Sequence, residues 1–185
     1  MEYYLTTPLT KEKLADLKAG DYVYISGTIY SARDAAHKRM HEALADGKGL
    51  PIDITDVTIY YMGPTPSRDS RPLGSAGPTT SSRMDKYTPE LFDLGLSAVI
   101  GKGRRADAIT QSIVKNHCVY FAAVGGAGAL LSQCITGTET VAYDDLGTEA
   151  IRKLTVENFP AIVIIDSEGS NLYEDVYAKI PEDLR

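Results

Sequence analysis

The sequence predicts an α/β layered domain, on two observations. Runs rich in β-branched and aromatic residues alternate along the chain with segments whose apolar residues recur at helical spacing. The 185 residues are also enough to bury a substantial core but too few for a second full domain, so one domain over residues 1–185 is expected.

Residues 22–30, YVYISGTIY, form the first clear strand, following the turn-forming Ala19, Gly20 and Asp21. Residues 33–46 then place Ala36, Met40, Ala43 and Leu44 at helical spacing, with Ser31 as the expected cap and Gly47 as the stop. Arg33 is thereby expected at a strand-to-helix junction. After a second strand at 56–62, residues 63–82 are dense in proline, glycine, serine and threonine and read as a long loop or set of turns. Ordering so long a loop has an entropic cost, so such a segment is usually functional or mobile. The alternation resumes with a helix at 88–93, a short buried strand at 97–100, a helix at 104–116 and a strand at 118–124. A small-residue helix at 125–134, a strand around Val141 with an acidic loop after it, and a fully apolar strand at 161–166 complete it.

Several function classes are excluded by composition. A net charge of −6 argues against nucleic-acid binding, which requires a surplus of cations on one face. No apolar run approaches the roughly 18–20 residues of a membrane span, and the first eight residues lack a basic and apolar leader. A cytoplasmic location follows as the expectation. Cys118 and Cys134 are the two cysteines, read as reduced and as small buried apolar residues; two thiolates cannot hold a 4Fe-4S cluster. His37, His41 and His117 have no zinc spacing relative to them, so no metal site is expected on this chain.

The segments able to carry chemistry are three glycine-associated basic stretches: residues 31–39 with Arg33, residues 74–85 with Thr79 and Arg83, and residues 101–105 with Lys102. Glycine lets backbone approach a ligand closely, and a guanidinium fork matches a carboxylate, so these loops suit an anionic small molecule. A dicarboxylate needs two such clamps. Each stretch taken singly also has a plain reading, as a solvated face or an ordinary turn. The run from Pro78 to Ser82 reads equally as a helix cap or as hydroxyls presented to a ligand beside Arg83. No Walker sequence is present, and Gly125 to Gly128 lack the full dinucleotide pattern.

Taken in order, SARDAAHKR (31–39), YMGPTP (61–66), GSAGPTTSSRMD (74–85), VIGKG (99–103) and AYDDLGTEA (142–150) resemble the C-terminal or β portion of class I fumarate hydratases and the related L-tartrate dehydratases. The resemblance spans nearly the whole chain. It implies a swivelling β/β/α layered domain that closes over a larger domain bearing a 4Fe-4S cluster. That larger part is expected here as a separate α subunit, in a homo-oligomer or heterotetramer. By the resemblance Arg33, Arg83 and Lys102 are ligands of the substrate carboxylates and Thr79 is the catalytic base, interconverting (S)-malate and fumarate. The 32–37 and 63–66 segments look closer to fumarases than to tartrate enzymes. The alternatives are an L-tartrate dehydratase β subunit and a non-catalytic dicarboxylate-binding regulatory domain.

Overall fold

The computed structural model describes residues 1–67 and 71–181; residues 68–70 of the expected 63–82 loop, and 182–185, lie outside the described residues. Its strands are β1 (Glu2–Thr6), β2 (Tyr22–Ser31), β3 (Thr58–Tyr60), β4 (Ala98–Gly101), β5 (Val119–Ala122), β6 (Ile135–Ala142) and β7 (Ile151–Ile165). The α-helices are α1 (Lys11–Leu14), α2 (Asp34–Ala45), α3 (Thr88–Asp93), α4 (Asp107–Asn116), α5 (Gly128–Gln133) and α6 (Leu172–Ala178), with 3-10 turns at Ser81–Met84 and Asp144–Glu149. The mixed α/β class is as expected. Among the described residues no helix is long and apolar enough to cross a membrane.

Strands β2, β3, β4 and β5 run parallel in that order. Strand β7 is antiparallel to both β5 and β2, pairing Phe121 with Val163 and Tyr22 with Ile162, so five strands close on themselves. β1 extends the ring beside the first half of β2, and β6 beside the first half of β7. Closure explains the continuous apolar composition of β3 to β5. Tyr60, Ala98, Ile100, Val119 and Phe121 belong to one buried cluster, while the alternating Ile59, Tyr61, Val99 and Tyr120 belong to another with Met40, Phe92 and Ile113 of α2, α3 and α4. Three helices cannot fit inside a five-strand ring, so the first cluster fills it and the second lies outside. A strand buried on both faces has no polar side to show.

Several boundaries differ from the sequence reading. Strand β7 begins ten residues before the apolar run at 161–166, because its first half alternates: Leu154 and Val156 face the core while Lys153 and Glu157 face water. β1, α1 and α6 were not anticipated from the sequence, being short elements with few buried side chains. Ser31 does not cap α2. It is the last residue of β2, its buried hydroxyl unpartnered among the described residues, and Glu149 Oε2 instead accepts the Ala35 N–H at 2.7 Å. Nor does the Pro78–Ser82 run cap a helix through a hydroxyl: Thr80 precedes the 3-10 turn and makes no side-chain cap bond.

Candidate functional site

Parallel pairing places the C-terminal ends of β2, β3, β4 and β5 at one edge of the closed sheet, where open α/β sheets usually bind ligands. Arg33 lies two residues beyond β2, Gly63 follows β3, Lys102 follows β4, and the Gly125–Gly128 turn follows β5. Residues 76–81 are laid across this edge. Thr79 N–H donates to Tyr61 O at 2.7 Å and Ser81 N–H to Lys102 O at 2.9 Å, while Ala76 N–H donates to Gly128 O at 2.9 Å. The buried Tyr60 hydroxyl holds Ala76 O at 2.5 Å. This part of the expected loop is therefore anchored on three strand ends. The approach depends on glycine at two points: a Cβ on Gly101 would collide with Ser81 Oγ, and one on Gly128 would lie 2.8 Å from Gly77 N.

The two arginines are gathered by one carboxylate. Asp34 Oδ2 accepts from Arg33 Nε at 3.1 Å, and Oδ1 lies 2.6 Å from Arg83 Nε. Glu149 Oε1 stands 3.5 Å from Arg33 Nε, and Gly63 packs so closely that a Cβ there would sit 3.0 Å from Arg33 Cδ. Burial opposes ionisation of Asp34, but its own backbone amide and the two guanidiniums outweigh it and hold the carboxyl below its ordinary range. Among the described residues, the terminal nitrogens of Arg33 and Arg83 make no hydrogen bond, the Lys102 ammonium has no ion pair, and the Thr79 hydroxyl has no partner. Three cations against the carboxylates of Asp34 and Glu149 leave a formal surplus of one positive charge. The edge thus presents unspent donors with a net attraction for an anion.

Behind this edge lies a buried polar layer. His37 Nδ1 faces Arg33 O at 3.0 Å, which fixes the proton on Nδ1, and Nε2 is buried without a partner among the described residues. Burial, aided by the Arg105 charge and only partly opposed by the Arg33 carbonyl, pushes the imidazole down to about 4. Arg105 is fully enclosed, with Nε 2.5 Å from Asp85 Oδ1, Nη2 donating to Thr88 Oγ1 at 3.1 Å, and its guanidinium 5.1 Å from the Tyr120 ring centre. Ser81 and Tyr120 hydroxyls meet at 3.0 Å.

The structure therefore brings the Arg33 and Arg83 segments together on Asp34, and sets the Thr79–Arg83 stretch against Lys102. Asp34, Glu149, Tyr120 and Arg105 were not singled out from the sequence, and Ser81 was read only as one hydroxyl of the Pro78–Ser82 run. Adjacency to Arg33 was the available signal for Asp34; the others converge only through the fold. Cys118 donates its thiol to Leu96 O at 3.1 Å, burial pushes it up to about 12, and it belongs to the outer cluster, whereas Cys134 packs against the inner one. Against the expectation of two buried cysteines, Cys134 is only half-buried, at the margin of its cluster; two thiols raised by burial and lying in separate clusters do not fit an iron–sulfur cluster. Among the described residues no group of three or more His, Cys, Asp or Glu side chains is placed to hold a metal ion.

The family model for the fumarase C-terminus matches residues 2–176. This chain belongs to that family. It is 40% identical over 187 residues to a Methanocaldococcus jannaschii protein provisionally named L(+)-tartrate dehydratase subunit beta, covering 98% of this chain and 96% of that one. It is 38% identical over 171 residues to the aerobic class I fumarate hydratase of Escherichia coli K12, covering 90% of this chain but 31% of that enzyme. It is 39% identical over 155 residues to the mitochondrial fumarate hydratase 1 of Leishmania major, covering 82% of this chain and 28% of that enzyme. The chain thus spans about a third of the length of the fumarate hydratases it matches, and nearly all of the tartrate dehydratase subunit.

Proposed function

We propose that this chain is the β subunit of a class I fumarate hydratase, interconverting (S)-malate and fumarate only when joined to a separate α subunit. The observation that carries the reading is the array of unpartnered donors from Arg33, Arg83, Lys102 and Thr79 at one sheet edge. A 4Fe-4S cluster, which this chain's cysteines do not fit, belongs in this reading to the α subunit. The ring moves as one body, the swivelling β/β/α domain of the resemblance, in a cytoplasmic assembly of both subunits, and residues 1–185 act as its single domain.

Each residue has a distinct task in this reading. Arg33 and Arg83 grip a substrate carboxylate with their terminal nitrogens while Asp34 keeps their Nε edges aligned. Lys102 meets the other carboxylate as a point charge, and all three cations oppose negative charge building during proton removal. Thr79 exchanges the proton on the carbon next to the one bearing the hydroxyl. A threonine is a weak base near neutral pH, and a cation drawn against its oxygen with the substrate would favour charge there. A second reading, an L-tartrate dehydratase β subunit, is favoured by the near full-length match to the Methanocaldococcus jannaschii protein.

Coexpression with the α subunit and anaerobic assay of malate, fumarate and L-tartrate separates the two, with malate and fumarate expected to turn over faster. The chain alone is expected to gain no stoichiometric cluster on reconstitution with iron and sulfide and to show no turnover. Tight malate binding by the isolated chain, with no turnover by the assembly, would instead establish a regulatory dicarboxylate-binding domain.

A further inference from the structure

We infer that Ser81 and Tyr120 are positioning residues that fix Thr79 and Arg83 relative to Lys102 through one directed chain of hydroxyl groups. Its direction follows from proton counting. The Tyr120 hydroxyl lies 2.8 Å from Gly103 O, and a carbonyl only accepts, so Tyr120 donates its one proton there. The contact between Ser81 Oγ and Tyr120 Oη at 3.0 Å must then use the serine proton. Ser81 Oγ keeps its lone pairs for the Lys102 N–H, which reaches it at 3.0 Å. The chain runs from the Lys102 amide through Ser81 and Tyr120 to the Gly103 carbonyl, starting and ending on one turn.

With the Ser81 N–H on Lys102 O at 2.9 Å, the serine is tied to that turn on both its backbone and its side chain. Ser81 and Tyr120 are both fully buried, so water cannot replace a lost partner cheaply. Gly101 lacks the Cβ that would displace Ser81 Oγ, and the Arg105 guanidinium covers the Tyr120 ring. Ser81 sits midway between Thr79 and Arg83, two residues from each. A shift at Ser81 therefore carries the proposed proton-transfer hydroxyl and the proposed carboxylate ligand together, away from Lys102.

The inference rests on the proposed function for its kinetic arm, and amide exchange gives it a second arm that does not. In the assembled enzyme, Ser81→Ala and Tyr120→Phe each delete one oxygen atom; Ser97→Ala is the comparison, since Ser97 Oγ donates to Val57 O at 3.0 Å next to the opposite end of β4. Turnover of malate is expected to fall about 10- to 100-fold in the first two, the scale of a misplaced reacting group, with Ser97→Ala within about twofold of wild type. Amide hydrogen exchange at Ser81 and Lys102 is expected to quicken at least about tenfold in the first two variants only. Unchanged exchange overturns the inference, as does faster exchange with normal turnover, which would make the chain merely structural. If the wild-type assembly turns over none of the dicarboxylates, the proposed function has failed, and exchange alone decides whether the clamp exists.

Discussion

Arg83 Nε lies 2.6 Å from Asp34 Oδ1, although the two residues come from separate segments of the chain. The other oxygen of that carboxylate holds Arg33, so Asp34 is the counterion of both guanidiniums and sets their mutual orientation. Asp34→Asn keeps the shape and removes the charge. It is expected to raise the KM for malate about tenfold, with a smaller change in kcat, because the fork loses alignment before substrate arrives. Steady-state kinetics on the assembled enzyme checks this, and an unchanged KM would show that the arginines are aligned by other contacts.

Arg33→Lys and Arg83→Lys retain charge but lose the planar fork. Each is expected to lower kcat/KM by about 10- to 150-fold, the equivalent of roughly 1.5–3 kcal/mol for a hydrogen bond to a charged group. Normal assembly with undiminished kcat/KM in both variants would reduce these residues to surface charges.

Thr79→Ala separates structure from chemistry, since the Thr79 hydroxyl caps no helix and bonds to no described residue. Thermal unfolding is expected to move little, while turnover falls about 10²–10⁴-fold, the range of general acid–base groups. Solvent-deuterium incorporation into malate should fall in parallel. Near-normal exchange would move the base to Thr80 or to the α subunit.

His37 predicts a pH dependence of stability. Its imidazole takes a proton near 6.5 in the unfolded chain but only at about 4 when folded. Between these values the unfolded state binds more protons, so stability is complete above pH 6.5 and falls as the pH drops toward 4. The loss is up to about 3 kcal/mol at 1.36 kcal/mol per pKa unit. Denaturation midpoints measured across this range should slope less steeply for His37→Gln than for wild type. Equal slopes would assign the dependence to other groups.

Much of this was legible in the chain before it was folded. The runs at 97–100 and 118–124 announce strands, the first of them buried, and the basic glycine-rich stretches announce anion ligands. Closure of the sheet was not legible, because β7 hides half its length in an alternating charged stretch and pairs with a strand made far earlier. Asp34 was legible only as a neighbour of Arg33, since its partnership with Arg83 depends on how the 3-10 turn is pinned. Ser81 was legible only as one hydroxyl of the Pro78–Ser82 run, and Tyr120 carried no local signal at all. Serine and tyrosine are ordinary in a turn and a strand, and their meaning comes from meeting across the fold.

The β2–β7 seam has a consequence for synthesis of the chain. Tyr22 pairs with Ile162 and Ser31 with Arg152, so the ring is sealed only when a strand made long after β2 has left the ribosome. Until then β2 and β5 each offer a bare flank, and distant partners must find one another before the seam is rewarded. The nascent chain is thus held open until β7 emerges, exposing hydrogen-bonding edges that invite association with other unfinished chains. A stall before residue 151 leaves β2 to β5 without the strand that closes them, whereas a stall beyond residue 165 leaves all five ring strands made.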